Sequence, residues 1–111
     1  MKTKPETNAG VLRERATRVL KKVIDPELLI NIIDLGLVYE IRISPKTIHL
    51  QMTLSSPHCP LGDAIIRHAK DVLSSEFPNR STVIDLVWDP GWNQALITEN
   101  GRRLLLSGTD N

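Results

Sequence analysis

Apolar residues recur at two periods along this chain, and the switches between them mark out six elements. From Val11, the residues Leu12, Ala16, Val19, Leu20 and Val23 follow at spacings of three and four, with Arg13, Glu14, Arg18, Lys21 and Lys22 between them. That spacing predicts an amphipathic helix over about residues 9–24. Asp25-Pro26 ends it, because a residue before proline is pushed out of the helical region. Lys21 and Lys22 then fall in the last turn, where the helix dipole favours cations. The period changes to two at Leu37, Tyr39, Ile41 and Ile43, and again at Ile48, Leu50, Met52 and Leu54. Strands are expected over about 37–43 and 47–54, each with one buried face. Ser44-Pro45-Lys46-Thr47 between them is a turn, so the two strands form an antiparallel hairpin.

A second helical stripe, Leu61, Ala64, Ile65, Ala69, Val72, Leu73 and Phe77, predicts a helix over about 61–77, stopped by Pro78-Asn79. A third strand is expected over about 82–88, with Ile84, Leu86 and Trp88 on one face and Val83 and Val87 around Asp85 on the other. Trp88-Asp89-Pro90-Gly91-Trp92-Asn93 reads as a tight turn carrying two of the four aromatic residues. Thr98 is a good N-cap for a last helix that ends near Ser107-Gly108, with Gly101 weakening it by about 1 kcal/mol relative to alanine. The fold class is therefore α/β, in the two-layer α+β sense. A three-stranded mixed sheet carries packed helices, in the order α-β-β-α-β-α. Residues 1–9 are expected to be a flexible arm, 10–107 a single domain and 108–111 a tail.

Composition narrows the function classes. The 111 residues fit one domain, 41% hydrophobic and 24% charged. A net charge of +1 gives no basic field for nucleic acid or anionic membrane. No apolar run approaches the length of about 18 residues needed for a membrane span. The first ten residues lack the apolar core of a signal peptide. One cysteine cannot form an intrachain disulfide, so a cytoplasmic location is the expectation.

That cysteine, Cys59, lies in Ser55-Ser56-Pro57-His58-Cys59-Pro60-Leu61-Gly62-Asp63. Pro60 suits a first helical position, which puts Cys59 at or near the N-cap of the second helix. A helix N-terminus stabilises a thiolate and makes it a better nucleophile or metal ligand. The plain alternative is an inert packed cysteine. One thiolate cannot hold a metal centre alone, so Cys59 ligates metal only if the site is shared across a dimer or with a partner. His49, His58 and His68 read as structural or solvated. Ser55 and Ser56 stand near the thiol, with turn formation as their plain role. Asp25, Glu27 and Asp34 read as turn caps that also have the means to border the same cleft. Trp88 and Trp92 read as core and lid. No general base can be set beside Cys59, so an enzyme is not expected.

Four motifs together resemble a known family. They are Asp25-Pro26-Glu27-Leu28, Asn31-Ile32-Ile33-Asp34-Leu35-Gly36-Leu37-Val38-Tyr39, Ser55 to Leu61, and Val87-Trp88-Asp89-Pro90-Gly91-Trp92. In this order they resemble the small iron–sulfur cluster assembly domain family that includes SufT and PaaD, over about residues 11–107. The resemblance implies a maturation factor that helps deliver clusters to recipient apoproteins together with the assembly machinery. The single thiolate leaves no stably bound cofactor in the monomer and allows a homodimer that shares a labile cluster; the resemblance adds a transient iron–sulfur cluster or iron as cargo. It sets the reactive thiol on Cys59, the hydroxyl position on Ser55 and the acidic motif on Asp25 and Glu27. A non-catalytic adaptor, and a PaaD-like accessory protein for one multicomponent oxygenase, are the alternatives. The sequence departs from the family pattern at Leu29, where glycine is common, at Asn31 for aspartate, at Gly91 for proline and at His58 for a small residue. A glycine at position 29 would serve a turn of positive φ.

Overall fold

The structure, a computed structural model, describes residues 9–56 and 61–109. The expected N-terminal arm falls outside these residues except for Ala9, which is already helical. The elements are α1 (Ala9–Leu20), β1 (Val38–Ile43), β2 (Thr47–Met52), α2 (Gly62–Glu76), β3 (Ser81–Leu86) and α3 (Glu99–Thr109), with one 3-10 turn at Gln94–Leu96. Their order is the expected α-β-β-α-β-α. β2 is the central strand, antiparallel to β1 and parallel to β3. The sheet is mixed because α2 carries the chain back from the end of β2 to the start of β3.

The core follows the two periods. Ile48, Leu50 and Met52 of β2 are fully buried, while Thr47, His49 and Gln51 face out. Leu12, Ala16, Val19 and Leu20 of α1 and Ile65, Ala69 and Leu73 of α2 close over the inner face. Each such Leu, Ile or Met contributes about 1.5–3 kcal/mol relative to its exposed state. The outer face is polar. Arg42 pairs with Glu40, and His49 with Asp85 across the β2–β3 boundary.

Three boundaries differ from expectation, each for a local reason. α1 ends at Leu20 and not near residue 24. Lys22 and Val23 make tighter bonds to Val19 and Leu20, and then Val23 O accepts from Ile32 N at 2.9 Å. Ile24 bridges Asn31. Val23 is fully buried in this extended segment, so the apolar spacing alone did not separate it from helix. β2 stops at Met52 and β3 at Leu86, because Thr53 N turns to Leu37 O and Val87 N closes on Met52 O. Trp88 is therefore in a loop. In β1 the register shifts between Val38, opposite Met52, and Glu40, opposite Gln51. Tyr39 is the extra residue of a bulge, so the strict alternation read from Leu37 to Ile43 is broken there.

Candidate functional site

The ends of β2 and β3 lie side by side, joined by the bond from Val87 N to Met52 O at 2.8 Å. Beyond it the two chains diverge into the segments that follow Thr53 and Val87. The gap between them is a cleft of about 380 Å³ lined by Leu54, Ser55, Trp88, Gly91 and Trp92. Crevices at the carboxyl ends of parallel strands are the usual ligand positions of open α/β sheets.

Each wall has a specific support. Trp92 is half-buried against the core, and its Nε1 donates to Leu35 O at 2.6 Å. The bulge at Tyr39 sends its hydroxyl to Pro90 O at 2.8 Å, which holds the turn that contains the cis Asp89-Pro90 bond. A Cβ at Gly91 would meet only Trp88 O, at an ordinary 3.7 Å, so the space at this position does not demand glycine. Trp88 is 45% exposed and forms the open rim. Tyr39 was not foreseen as part of this region, since only the bulge aims it here.

Ser55 lines the cleft, as part of the chain that continues to Cys59. Cys59 and His58 themselves lie outside the described residues. The cap position of α2 belongs to Leu61, at φ −107 and ψ 14, whose carbonyl accepts from Ile65 N. The first helical residue is therefore Gly62 and not Pro60 as expected, while the expected place of Cys59, at or near the cap, lies outside the described residues.

Asp25 is 1% exposed, and its Oδ1 accepts from Glu27 N at 2.8 Å and Leu28 N at 3.0 Å. It holds its own loop, closed further by bonds from Asp25 N to Ile30 O and from Leu29 N to Asp25 O. Glu27 is exposed. Leu29 sits at φ 62, the positive value a glycine would adopt freely, with its side chain 76% exposed. The neighbouring Ile24 and Pro26 share a cavity of about 260 Å³ with Leu61, Ala64, Ile65 and His68 of the α2 region. The acidic loop thus borders the same cavity as the start of α2, while Ser55 lines the cleft with the tryptophans.

A third cluster is built around Asp34, which is 4% exposed. Its Oδ2 accepts from Asn31 Nδ2 at 2.8 Å and Asn100 Nδ2 at 3.0 Å, and its Oδ1 from Thr98 Oγ1 at 2.8 Å. Asn31 also accepts from Asp34 N through Oδ1. An aspartate at 31 would lack the donor, which gives that departure a purpose here. Thr98 caps α3 as expected, through its bond from Gly101 N. Burial, the largest influence on the Asp34 carboxyl, opposes ionisation. The hydrogen bonds from Asn31, Thr98 and Asn100, with the Lys21 charge, outweigh it and hold the carboxyl below its ordinary value. Two glycines permit the close approach. Gly36 has φ 78, and a Cβ on it would run into Leu96 O; a Cβ on Gly101 would come within 2.7 Å of Asp34 O. The sequence showed Asp34 as a turn cap but not its partners 64 and 66 residues away.

Among the described residues, no three His, Cys, Asp or Glu side chains converge as a metal-ligand group, and no helix is long and apolar enough to cross a membrane.

Residues 13–85 match the family model described as iron–sulfur cluster assembly protein. The chain is 36% identical over 84 residues to the Fe-S protein maturation auxiliary factor YitW of Bacillus subtilis, covering 75% of this chain and 82% of that protein. It is 39% identical over 77 residues to the Fe-S protein maturation auxiliary factor SufT of Staphylococcus aureus, covering 68% and 88%. A crystal structure of a domain of unknown function from Bacillus anthracis superposes with a TM-score of 0.82 at 29% identity, covering 87% of this chain and 93% of that one. With the family model spanning well over half of its residues, this chain belongs to the iron–sulfur cluster assembly protein family.

Proposed function

We propose that this protein is an auxiliary factor in iron–sulfur protein maturation, and that Cys59 is its point of contact with the cargo. The observation that carries the reading is the cleft at the ends of β2 and β3. It gathers Ser55 and both tryptophans where the chain leads into the Cys59 segment. The role named for the relatives, auxiliary factor in Fe-S protein maturation, extends on this reading to the present chain.

The chemistry is ligand exchange. The Cys59 thiolate bonds to a cluster iron in place of one donor-protein thiolate, and the displaced thiolate takes up the proton that Cys59 gave up. A cluster needs several such ligands, so the remaining thiolates come from the partner or from a second copy. The cluster is cargo and not a resident cofactor. The protein assists transfer and catalyses no turnover of its own, in a cytoplasmic setting where the thiol stays reduced. Asp25 supports the site by fixing its loop beside the start of α2, and Glu27 offers an exposed charge to a partner.

The test is Cys59→Ser in the host organism, with one cluster-dependent hydratase and one multicomponent oxygenase assayed in parallel. Both activities should fall while the variant accumulates to normal levels. Loss of the oxygenase alone restricts the role to a PaaD-like one. Full activity of both overturns the thiol mechanism and leaves the adaptor.

A further inference from the structure

β3 is the last strand of the sheet, and its outer side has no partner strand among the described residues. Ser81 N donates to Lys46 O and Val87 N to Met52 O, so alternate residues of β3 turn their peptide groups toward β2. Thr82, Ile84 and Leu86 then turn theirs outward. Edge strands are commonly blunted by lysine, proline or a bulge. Ser81–Leu86 contains neither residue, and its register with β2 is unbroken. Val83, Leu86 and Trp88 are exposed along it, and the strand leads straight to the Trp88 rim of the cleft.

The charge along this stretch has one sign. From Ser81 to Trp92 the only charged residues are Asp85, whose carboxylate meets His49 of β2, and the exposed Asp89; Arg80, just before the strand, is turned away to Ser44 O. A second copy would bring the same acids to the same edge. A segment of opposite charge would be drawn to it and oriented by it.

We propose that β3 accepts an extended segment of a partner protein with alternating apolar and basic side chains, added as a fourth strand that ends over Trp88. Main-chain bonds to Thr82, Ile84 and Leu86 supply the attachment, and the acids select the charge. This surface stands independently of Cys59, and its test involves no cluster transfer.

The experiment titrates the full chain at low salt with a labelled peptide of about ten residues that alternates valine and lysine, beside a valine–glutamate peptide of equal length. Anisotropy reads affinity and amide hydrogen exchange reads location. The basic peptide should bind about tenfold or more tightly than the acidic one and protect the amides of Thr82, Ile84 and Leu86. Leu86→Pro removes an outward N–H without touching a bond to β2, and should weaken binding about tenfold. Asp89→Lys, at an exposed position, should weaken it about threefold and serves if the proline variant does not fold. Equal binding of the two peptides, no binding, unprotected edge amides, or unchanged affinity in the folded variants overturns the proposal. So does a β3-edge dimer of the free protein that Leu86→Pro dissolves, since the edge then belongs to a second copy.

Discussion

The Asp34 cluster and the tryptophan cleft are both tied to the 31–37 segment, through Asp34 and Leu35, and are built on opposite principles. Around Asp34 the partners are complete: three side chains donate to one buried carboxylate, and Gly36 and Gly101 let backbones meet with no side chain between. The cleft has a single half-buried anchor, Trp92 on Leu35 O, and an exposed second indole in Trp88. Leu35 directly follows Asp34, so the closed cluster fixes the wall on which the open one is hung. A polar network that is fully satisfied gives rigidity. An exposed aromatic rim contributes little to folding and is available to a partner.

Substitutions can break that contrast, the largest effects falling on the closed side. Asp34→Ala leaves three donors facing a void and should cost about 3 kcal/mol or more in denaturant unfolding. Gly36→Ala forces a side chain into Leu96 at positive φ, and a loss of about 3 kcal/mol is expected by the same measurement. Acid should act through the same carboxyl. Its folded value is depressed, so its contribution is present above the unfolded value of 3.8 and is lost as pH falls through the folded value. Urea midpoints followed downward from about pH 5 should decline less steeply in Asp34→Asn than in the parent chain.

On the open side, Trp88→Ala should cost under about 1 kcal/mol of stability while lowering the maturation activity measured in the host. An equal loss of stability from Trp88 and Asp34 substitutions would erase the distinction between the two regions. The smallest effect belongs to Leu29→Gly. It relieves a positive φ worth about 1–2 kcal/mol but frees the unfolded chain, so a net gain of about 0.5 kcal/mol is expected by thermal unfolding.

The amino-acid sequence by itself determined the six elements, the mixed sheet and the family. Leu50 or Ala69 could be assigned to the core from periodicity, because a period of two or 3.6 is a local property. The Thr98 cap was legible for the same reason, since its partner is Gly101, three residues on. The positive φ at Leu29 was legible only through the family pattern, where glycine is common.

Only the tertiary structure decided where α1 stops, because Val23 is buried equally well as helix or as the partner of Ile32. It alone decided that Asp34 binds Thr98 and Asn100, that a bulge aims Tyr39 at Pro90, and that Ser55 shares a cleft with Trp88 and Trp92. Those contacts join residues between 30 and 70 positions apart, across which no periodicity operates. They exist because β2, α2 and β3 bring the two loops together, and close packing then leaves each side chain few neighbours to choose from.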